Sequence, residues 1–594
     1  MTREEFLIEF KWLKAQLDDD NREQIFQGLL SLTHICMEER QAEWGLEVAK
    51  YALPILQADM ENASGMKFQE LSDFLLENKE YADPRWDLYW EFVLECTRDD
   101  FELFMKYMEK NRPYAKKFYE PRAYTRSGKP AMKRVADALQ GLAERRYKFL
   151  GISLPSRTGK STIDIFYLCF RANRNPNSHS AMGGHAGTLV KGFYKELLNL
   201  MTSSEYTYAE IYERWHPSHT LIRDKSAEDY TITLDEPDRF ATITCRGIDA
   251  TWTGAVDVSK DGLLYVDDLV RDRQHSLSPT RMEETWQEYL NKMVDRKNDG
   301  AQELMVGTLW NVLDPLERLY RLYGDNPEYC FLRIPALDDN DESNFDYVVN
   351  GFSTEYYKDM RERLDNAEWM AKFQQRPFVR EGLIFQLDTL KYYNGMIHVP
   401  DVERVIAVCD PAFGGGDYLS MPICYEMKDG HKPIVGWVYD KRPIEFTLPR
   451  VLGAIKQYGV TELRVERTGA GLMLGDKIRE ELKANNVFGC MVTQRDAPRK
   501  CSKEDKILGR ADFIKENFEF IEIKAGDWEF EDTKDYEYHK RDADYNRAMD
   551  DLGMFSGEGK NAHDDSPDSL AQLAIMCEDE LNGQIEIIKN PYME

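Results

Sequence analysis

The chain has 594 residues, a length that predicts several domains rather than one. Hydrophobic residues make up 42% and aromatics 12%, enough apolar material to build real cores and to exclude wholesale disorder. The balance of 77 basic against 106 acidic residues gives −29, which excludes a uniformly basic nucleic-acid binder but leaves room for a local groove.

In chain order, the first twenty residues (MTREEFLIEFKWLKAQLDDD) hold no apolar signal core, and no run approaches the ~20 apolar residues that span a bilayer. A soluble, non-secreted protein without a membrane partner is expected. The 10 cysteines form no CxxC pair, which argues against a disulfide framework or a zinc module. Residues 1–110 carry 25 acids and 12 bases. Phe6, Ile8, Phe10, Leu13 and Leu17 recur at roughly helical spacing, as do Phe92, Phe101, Phe104 and Met108. This predicts an acidic helical domain for packing or docking, with no chemical motif. Residues 110–148 reverse the charge, with 12 bases against 3 acids among tyrosines and prolines. They read equally as a nucleic-acid arm or as a connector covering the next domain.

From residue 148 the texture becomes α/β. KFLGISL reads as a buried strand and GKSTIDIFYLCFRA as its helix; SHSAMG and TLVKGFYKELLNLM repeat the pair, and GLLYVDDLV and AQELMVGTLW are further strands. Residues 376–400 lack clear periodicity and read as a linker between a domain at 111–375 and one at 401–594. The last domain shows strands in VERVIAVCDP, MPICYEM, KPIVGWVYD and TELRVER, a helix in TLPRVLGAIKQYG, and a final helix in SLAQLAIMCEDEL.

Two constellations carry chemistry. SLPSRTGKST, residues 153–162, lies between a strand and a helix, the context of a P-loop. Gly159 permits the tight turn, Lys160 would reach the β- and γ-phosphates, Ser161 would bind Mg²⁺, and helix-start amides would cradle the anion. Arg157 adds positive charge inside the loop, while Leu154 stands where the first glycine is usual. GLLYVDD ends an apolar strand in Asp267 and Asp268. Asp267 suits Mg²⁺, and Asp268, Glu283 or Glu284 would orient the attacking water. Thr308, ending a third strand beside Trp310, would sense the γ-phosphate or merely cap the strand.

In the second constellation, Asp410 ends the strand VIAVC before PAFGGGD, Glu466 ends TELRVE, and HDDSPDSLA puts Asp564, Asp565 and Asp568 at a helix start. Each acid alone reads as a solvated strand end or a helix cap. Together they suit Mg²⁺ or Mn²⁺ and a two-metal phosphodiester hydrolysis. His563 reads as a solvent-facing or supporting residue rather than a ligand.

The order LPSRTGKST, GLLYVDDLV, VGTLW, VCDPAFGGGD, LRVER, NAHDDSPDSLA resembles the large terminase subunit of tailed bacteriophages or of a prophage, over roughly residues 148–594. The resemblance implies an ASCE-type P-loop ATPase domain and an RNase H-like nuclease domain behind an α-helical N-terminal extension. The implied activity is ATP-driven translocation of double-stranded DNA into a procapsid, with metal-dependent cutting of the concatemer. The implied cofactors are ATP and Mg²⁺, with Mn²⁺ able to substitute at the nuclease. The implied partners are double-stranded DNA, a terminase small subunit and the portal protein. A homo-oligomeric ring forms on assembly in the bacterial host cytoplasm, from a chain that is monomeric in solution or already associated. By resemblance, Arg157, Thr158, Gly159, Lys160, Ser161 and Thr162 form the ATP-binding loop, Asp267 is the Walker B acid and Thr308 lies in the coupling motif. Asp410, Glu466 and Asp565 are the nuclease ligands, with Asp564 and Asp568 beside them, and SKEDKILGR (502–510) is the family's basic segment. Asp268 stands where the family often has glutamate. Arg246 and Arg271 are candidates for an arginine acting in trans. The rival readings are a helicase–nuclease of DNA repair or restriction, expected to carry a second motor domain, and a non-catalytic capsid- or portal-associated protein.

Overall fold

The computed structural model describes residues 1–17, 21–81, 83–217, 219–236, 238–378, 383–411, 417–467, 470–495, 502–523, 535–556, 561 and 563–581. The chain divides into two units. The first comprises Met1–Leu337, Ser343–Leu364 and Glu368–Pro377, the second Asp338–Glu342, Asp365–Ala367 and Phe378–Glu594.

In the first unit, residues up to 108 fold as helices, as their spacing predicts. Their starts are set by side chains that accept orphan backbone N–H groups: Thr2 with Glu5 in a capping box, Asp83 ahead of Pro84, and Asp100 for Phe101–Met108. The last of these helices turns its apolar face onto the helix Lys160–Arg174. Phe101 meets Tyr167 edge-on at 5.2 Å between centroids, and Phe104 meets Phe170 at 5.3 Å. The basic stretch that follows covers the sheet domain. Its helix Ala131–Ala143 buries Met132, Val135, Leu139 and Leu142, and leaves bases such as Arg134 outside.

The first sheet holds β1 (Phe149–Ser153), β2 (Ser180–Gly184), β3 (Asp224–Ser226), β4 (Thr231–Thr233), β5 (Ile243–Gly247), β6 (Leu263–Asp267), β7 (Gln302–Gly307) and β8 (Tyr329–Arg333), in the order β3-β4-β5-β2-β6-β7-β1-β8. The strands from β5 to β8 pair in parallel, and β3 and β4 add an antiparallel edge. Strands β1, β2 and β6 are buried along their whole length, which is why they read as unbroken apolar runs rather than alternating ones. Placing β7 between β1 and β6 has a direct consequence. Ser153 aligns with Gly307 and Val306 with Asp267, so the loop after β1, Thr308 and the two aspartates all leave one edge of the sheet together.

The second unit contains β9 (Lys391–Tyr393), β10 (Met396–His398), β11 (Val402–Cys409), β12 (Leu419–Met427), β13 (Lys432–Asp440), β14 (Glu462–Glu466), β15 (Met491–Arg495), β16 (Phe518–Ile521) and β17 (Tyr536–Tyr538). Its main sheet runs β15-β14-β11-β12-β13-β16-β9, and β10 pairs with β17. The β11–β12–β13 ribbon is antiparallel; β14, β15, β16 and β9 join in parallel. The stretch 376–400, expected as a linker, thus supplies β9 at the sheet edge and β10 beside β17. Side chains alternate across β11. Val405, Ala407 and Cys409 pack with Leu474 and Ile478 of the helix Ala470–Ala484. Ile406 and Val408 pack with Leu570, Leu573 and Ala574 of the last helix, Asp565–Leu581. Asp410 continues the second set, so it faces the last helix. Among the described residues, no helix is long and apolar enough to cross a membrane.

Candidate functional site

The loop from Leu154 to Gly159 joins β1 to the helix Lys160–Arg174 and leaves that helix's first N–H groups without helical partners. Gly159 has φ +103°, and a Cβ there would meet the Phe118 ring at 3.0 Å and the Met132 methyl at 3.2 Å, so no other residue fits without strain. Thr158 is buried and fixes the loop: its hydroxyl donates to the Pro155 carbonyl at 2.8 Å, and its own carbonyl accepts from the Tyr347 hydroxyl at 2.9 Å. Arg157 also sits in the left-handed region, φ 66°, with its side chain exposed. Leu154, in the usual glycine position, is fully buried, and Thr162 is half-buried.

Lys160 and Ser161 meet the acids of β6 directly. The Lys160 Nζ lies 3.1 Å from Asp268 Oδ1 and donates to the Thr308 hydroxyl; the Ser161 hydroxyl donates to Asp267 Oδ2 at 3.1 Å. Asp268 adopts φ 40°, which turns its carboxylate back to accept the Thr308 amide at 2.9 Å as well. Its own carbonyl is held by the His185 ring at 2.9 Å. Asp267 is 1% exposed, and its Oδ1 has no hydrogen-bond partner among the described residues. Burial pushes its carboxyl well above the usual carboxylate range and the Asp268 charge adds to this, against the pull of Lys160 and Ser161. A buried, orphaned oxygen beside a serine hydroxyl at the mouth of an anion-binding helix end is a fit for a hard cation. Beneath it, Asp164 is fully buried and takes the Tyr265 hydroxyl at 3.4 Å. Glu283 is turned away: it pairs with Arg318 at 2.6 Å on the surface, and Glu284 is exposed. Arg246 lies 3.6 Å from Asp229, and Arg271 is exposed.

In the second unit Cys409 aligns with Val465, so Asp410 and Glu466 emerge side by side from β11 and β14. The last helix brings Asp568 against them. One oxygen from each of Asp410, Glu466 and Asp568 lies within 4.8 Å of the others. Asp410 and Asp568 are 6% and 2% exposed. Burial raises the Asp410 carboxyl, and the charges of Asp568 and Glu466 raise it further. Three hard oxygens crowded in this way could hold Mg²⁺ or Mn²⁺. Asp565, one turn back, accepts the Tyr418 amide at 3.0 Å, and Asp564 accepts from Lys503 at 2.7 Å. The glycine-rich segment after Asp410 lies outside the described residues from 412 to 416. His563 packs edge-on against Tyr418 at 5.3 Å, with its ring outside the carboxylate cluster.

At this site Gln572 escapes a reading by motif, and the lysines of SKEDKILGR are expected only as a basic segment. Gln572, one helical turn after Asp568, donates to Glu466. Lys506 reaches Asp568 Oδ1 at 2.5 Å and Glu466 at 4.0 Å, and Lys503 spans Asp564, Asp565 and Asp568. The signal for Gln572 was its spacing of four from Asp568; for the lysines it was the segment SKEDKILGR. A cavity of about 520 Å³ beside Tyr418 has arginines at 442, 450 and 547, matched by Asp440 and Asp544.

No protein-family model and no curated protein sequence matches the chain. Solved structures do. The large terminase of bacteriophage HK97 is 11% identical, with a TM-score of 0.29 over 64% of this chain and 82% of its own. The large terminase of a thermophilic bacteriophage, in complex with ADP, is 11% identical, with a TM-score of 0.27 over 73% of this chain and 97% of its own. The Phi-28 gp11 DNA packaging motor is 9% identical, with a TM-score of 0.23 over 63% and 95%. The structures to which this chain is similar are thus viral large terminases and a packaging motor.

Proposed function

We propose that the chain is the large terminase subunit of a tailed phage or prophage. Its first unit would be a P-loop ATPase of the ASCE type that drives double-stranded DNA into a procapsid. Its second would be an RNase H-like nuclease that cuts the concatemer. One observation carries this reading: a single chain pairs a lysine–serine helix start against two strand-end aspartates in one unit with a three-carboxylate cluster in the other. The strand orders support it. A strand lies between the loop-bearing β1 and the acid-bearing β6, as the proposed ATPase class would have it, and an antiparallel three-strand ribbon is continued by parallel strands, as the proposed nuclease class would have it.

ATP would lie across the loop 154–159, its phosphates facing the free N–H groups of the helix start and the Lys160 ammonium. Ser161 and Asp267 would hold Mg²⁺, which would supply charge neutralisation for the phosphates. Asp268 would orient the attacking water. Thr308, tied to Lys160, would sense whether the γ-phosphate is present, because a phosphate that takes the lysine releases the threonine. Asp410, Glu466 and Asp568 would hold a pair of divalent ions, which when bound activate water and stabilise the leaving oxygen of a phosphodiester. Gln572 would fix the rotamer of Glu466. Double-stranded DNA, a small subunit and a portal protein are the partners this role requires, with a ring of copies around the portal in the host cytoplasm.

Two substitutions test it. Lys160→Ala abolishes ATP hydrolysis and packaging and leaves Mn²⁺-dependent plasmid cutting intact; Asp410→Ala does the opposite for cutting. Hydrolysis that survives Lys160→Ala refutes the ATPase. Strand separation by the purified chain would point to a helicase–nuclease, and a wild type with neither activity to a structural component.

A further inference from the structure

We propose that Lys506 and Lys503 are built-in counter-ions of the acidic cluster, which a divalent ion has to displace in order to bind. The inference rests on reading Asp410, Glu466 and Asp568 as metal ligands and concerns how that site is regulated. Three carboxylates this close repel one another unless a positive charge stands beside them. The protein supplies its own. The Lys506 ammonium lies 2.5 Å from Asp568 Oδ1 and 4.0 Å from Glu466 Oε2, on a side chain only 8% exposed. Lys503, 39% exposed, lies 2.7 Å from Asp564, 3.5 Å from Asp565 and 3.7 Å from Asp568. The two are three residues apart on the helix Lys503–Leu508, so both reach the cluster from one helix face.

An ion bound here would take up the same carboxylate oxygens. At Asp568 it would lie within a few ångströms of the Lys506 ammonium, and two like charges at that range in a buried site repel strongly. The lysine and the ion therefore exclude each other. Lys506 is the stronger competitor, because it is buried and touches two of the three ligands. A displaced ammonium is not left idle: a phosphate oxygen of the nucleic-acid backbone is the anion at hand. Metal and DNA then favour each other's binding, since each relieves the cost of the other, and the cluster stays quiet until both arrive.

The test is calorimetric titration of Mn²⁺ into the full chain without DNA. The proteins are wild type, Lys506→Met, Lys506→Gln, Lys503→Met and Asp568→Asn, each checked for a cooperative melt. Both Lys506 variants are expected to bind Mn²⁺ about ten-fold more tightly than wild type, with a smaller gain in Lys503→Met. Lys506 variants that bind equally or more weakly, while wild type binds and Asp568→Asn does not, overturn the counter-ion role and leave the metal site standing. If neither wild type nor the Lys506 variants take up Mn²⁺, or if Asp568→Asn takes up as much as wild type, the metal reading itself fails and this inference with it.

Discussion

Asp564, Asp565 and Asp568 are chemically alike, and only geometry divides them. Asp568 shares a helix face with Gln572 and stands within the same 4.8 Å as Asp410 and Glu466. Asp565 spends one oxygen on the Tyr418 amide, and its carboxyl is raised mainly by burial. The expectation from resemblance put Asp565 in the ligand set with Asp564 and Asp568 beside it; the side chains place Asp568, rather than Asp565, within reach of Asp410 and Glu466, and we propose it as the ligand. Separate substitutions resolve the two roles. Asp568→Asn should lower Mn²⁺-dependent cutting by about 100-fold or more, because a ligand is lost; Asp565→Asn keeps the ligand set and should cost about ten-fold or less through a loosened helix start. A plasmid-cutting assay over a range of Mn²⁺ measures both, and equal losses would return Asp565 to the ligand set.

The strands and helices that carry chemistry were legible because each combines a periodic apolar pattern with a distinctive end. VERVIAVCD and GLLYVDD each announce a buried strand and the acid that leaves it. What stayed illegible was pairing. Nothing in TELRVE says that β14 lies next to β11 with Val465 opposite Cys409, and it is this register that brings Asp410 to Glu466. The short strands β3, β4 and β9 have three residues each, too short for periodicity to register. The basic stretch after residue 110 illustrates tertiary override. Its start is fixed by one carboxylate, Glu109, which accepts the amides of Phe118 at 2.7 Å and Tyr119 at 3.0 Å and places the Phe118 ring over Gly159. Burial pushes the Glu109 carboxyl up to about 7, although those amides pull it down. A carboxyl raised on folding stabilises fully below its unfolded value of 4.5, and that stabilisation is lost as pH rises through 7. Urea unfolding of wild type and Glu109→Gln from pH 4.5 to 8 should therefore differ in slope. Wild type loses a few kcal/mol relative to the variant across the window, and parallel profiles would show that Glu109 is not neutral in the fold.

At the scale of the whole molecule, the residues of each proposed chemistry fall within one unit: Lys160, Ser161, Asp267, Asp268 and Thr308 in the first, Asp410, Glu466 and Asp568 in the second. The helical N-terminus belongs with the first, since Phe101 and Phe104 pack on the very helix that begins with Lys160. A chain built this way need not unfold in one step, because each unit has its own core. A ligand that binds only the folded form of one unit stabilises that unit by RT ln(1 + [L]/Kd), about 2.7 kcal/mol at a hundred times Kd. Scanning calorimetry should thus resolve two transitions. ADP with Mg²⁺ should raise the transition of the first unit, and Lys160→Ala should erase that shift. Mn²⁺ at concentrations that saturate the carboxylate cluster should raise the other, and Asp568→Asn should erase that one alone. The −13 carried by residues 378–594 sharpens the second half of the experiment, since neutralising an acidic cluster by a bound cation also relieves self-repulsion in the native state. A single transition moved equally by both ligands, or a Lys160→Ala protein that loses the Mn²⁺ shift, would mean that the two chemistries are coupled through one cooperative body and cannot be read unit by unit.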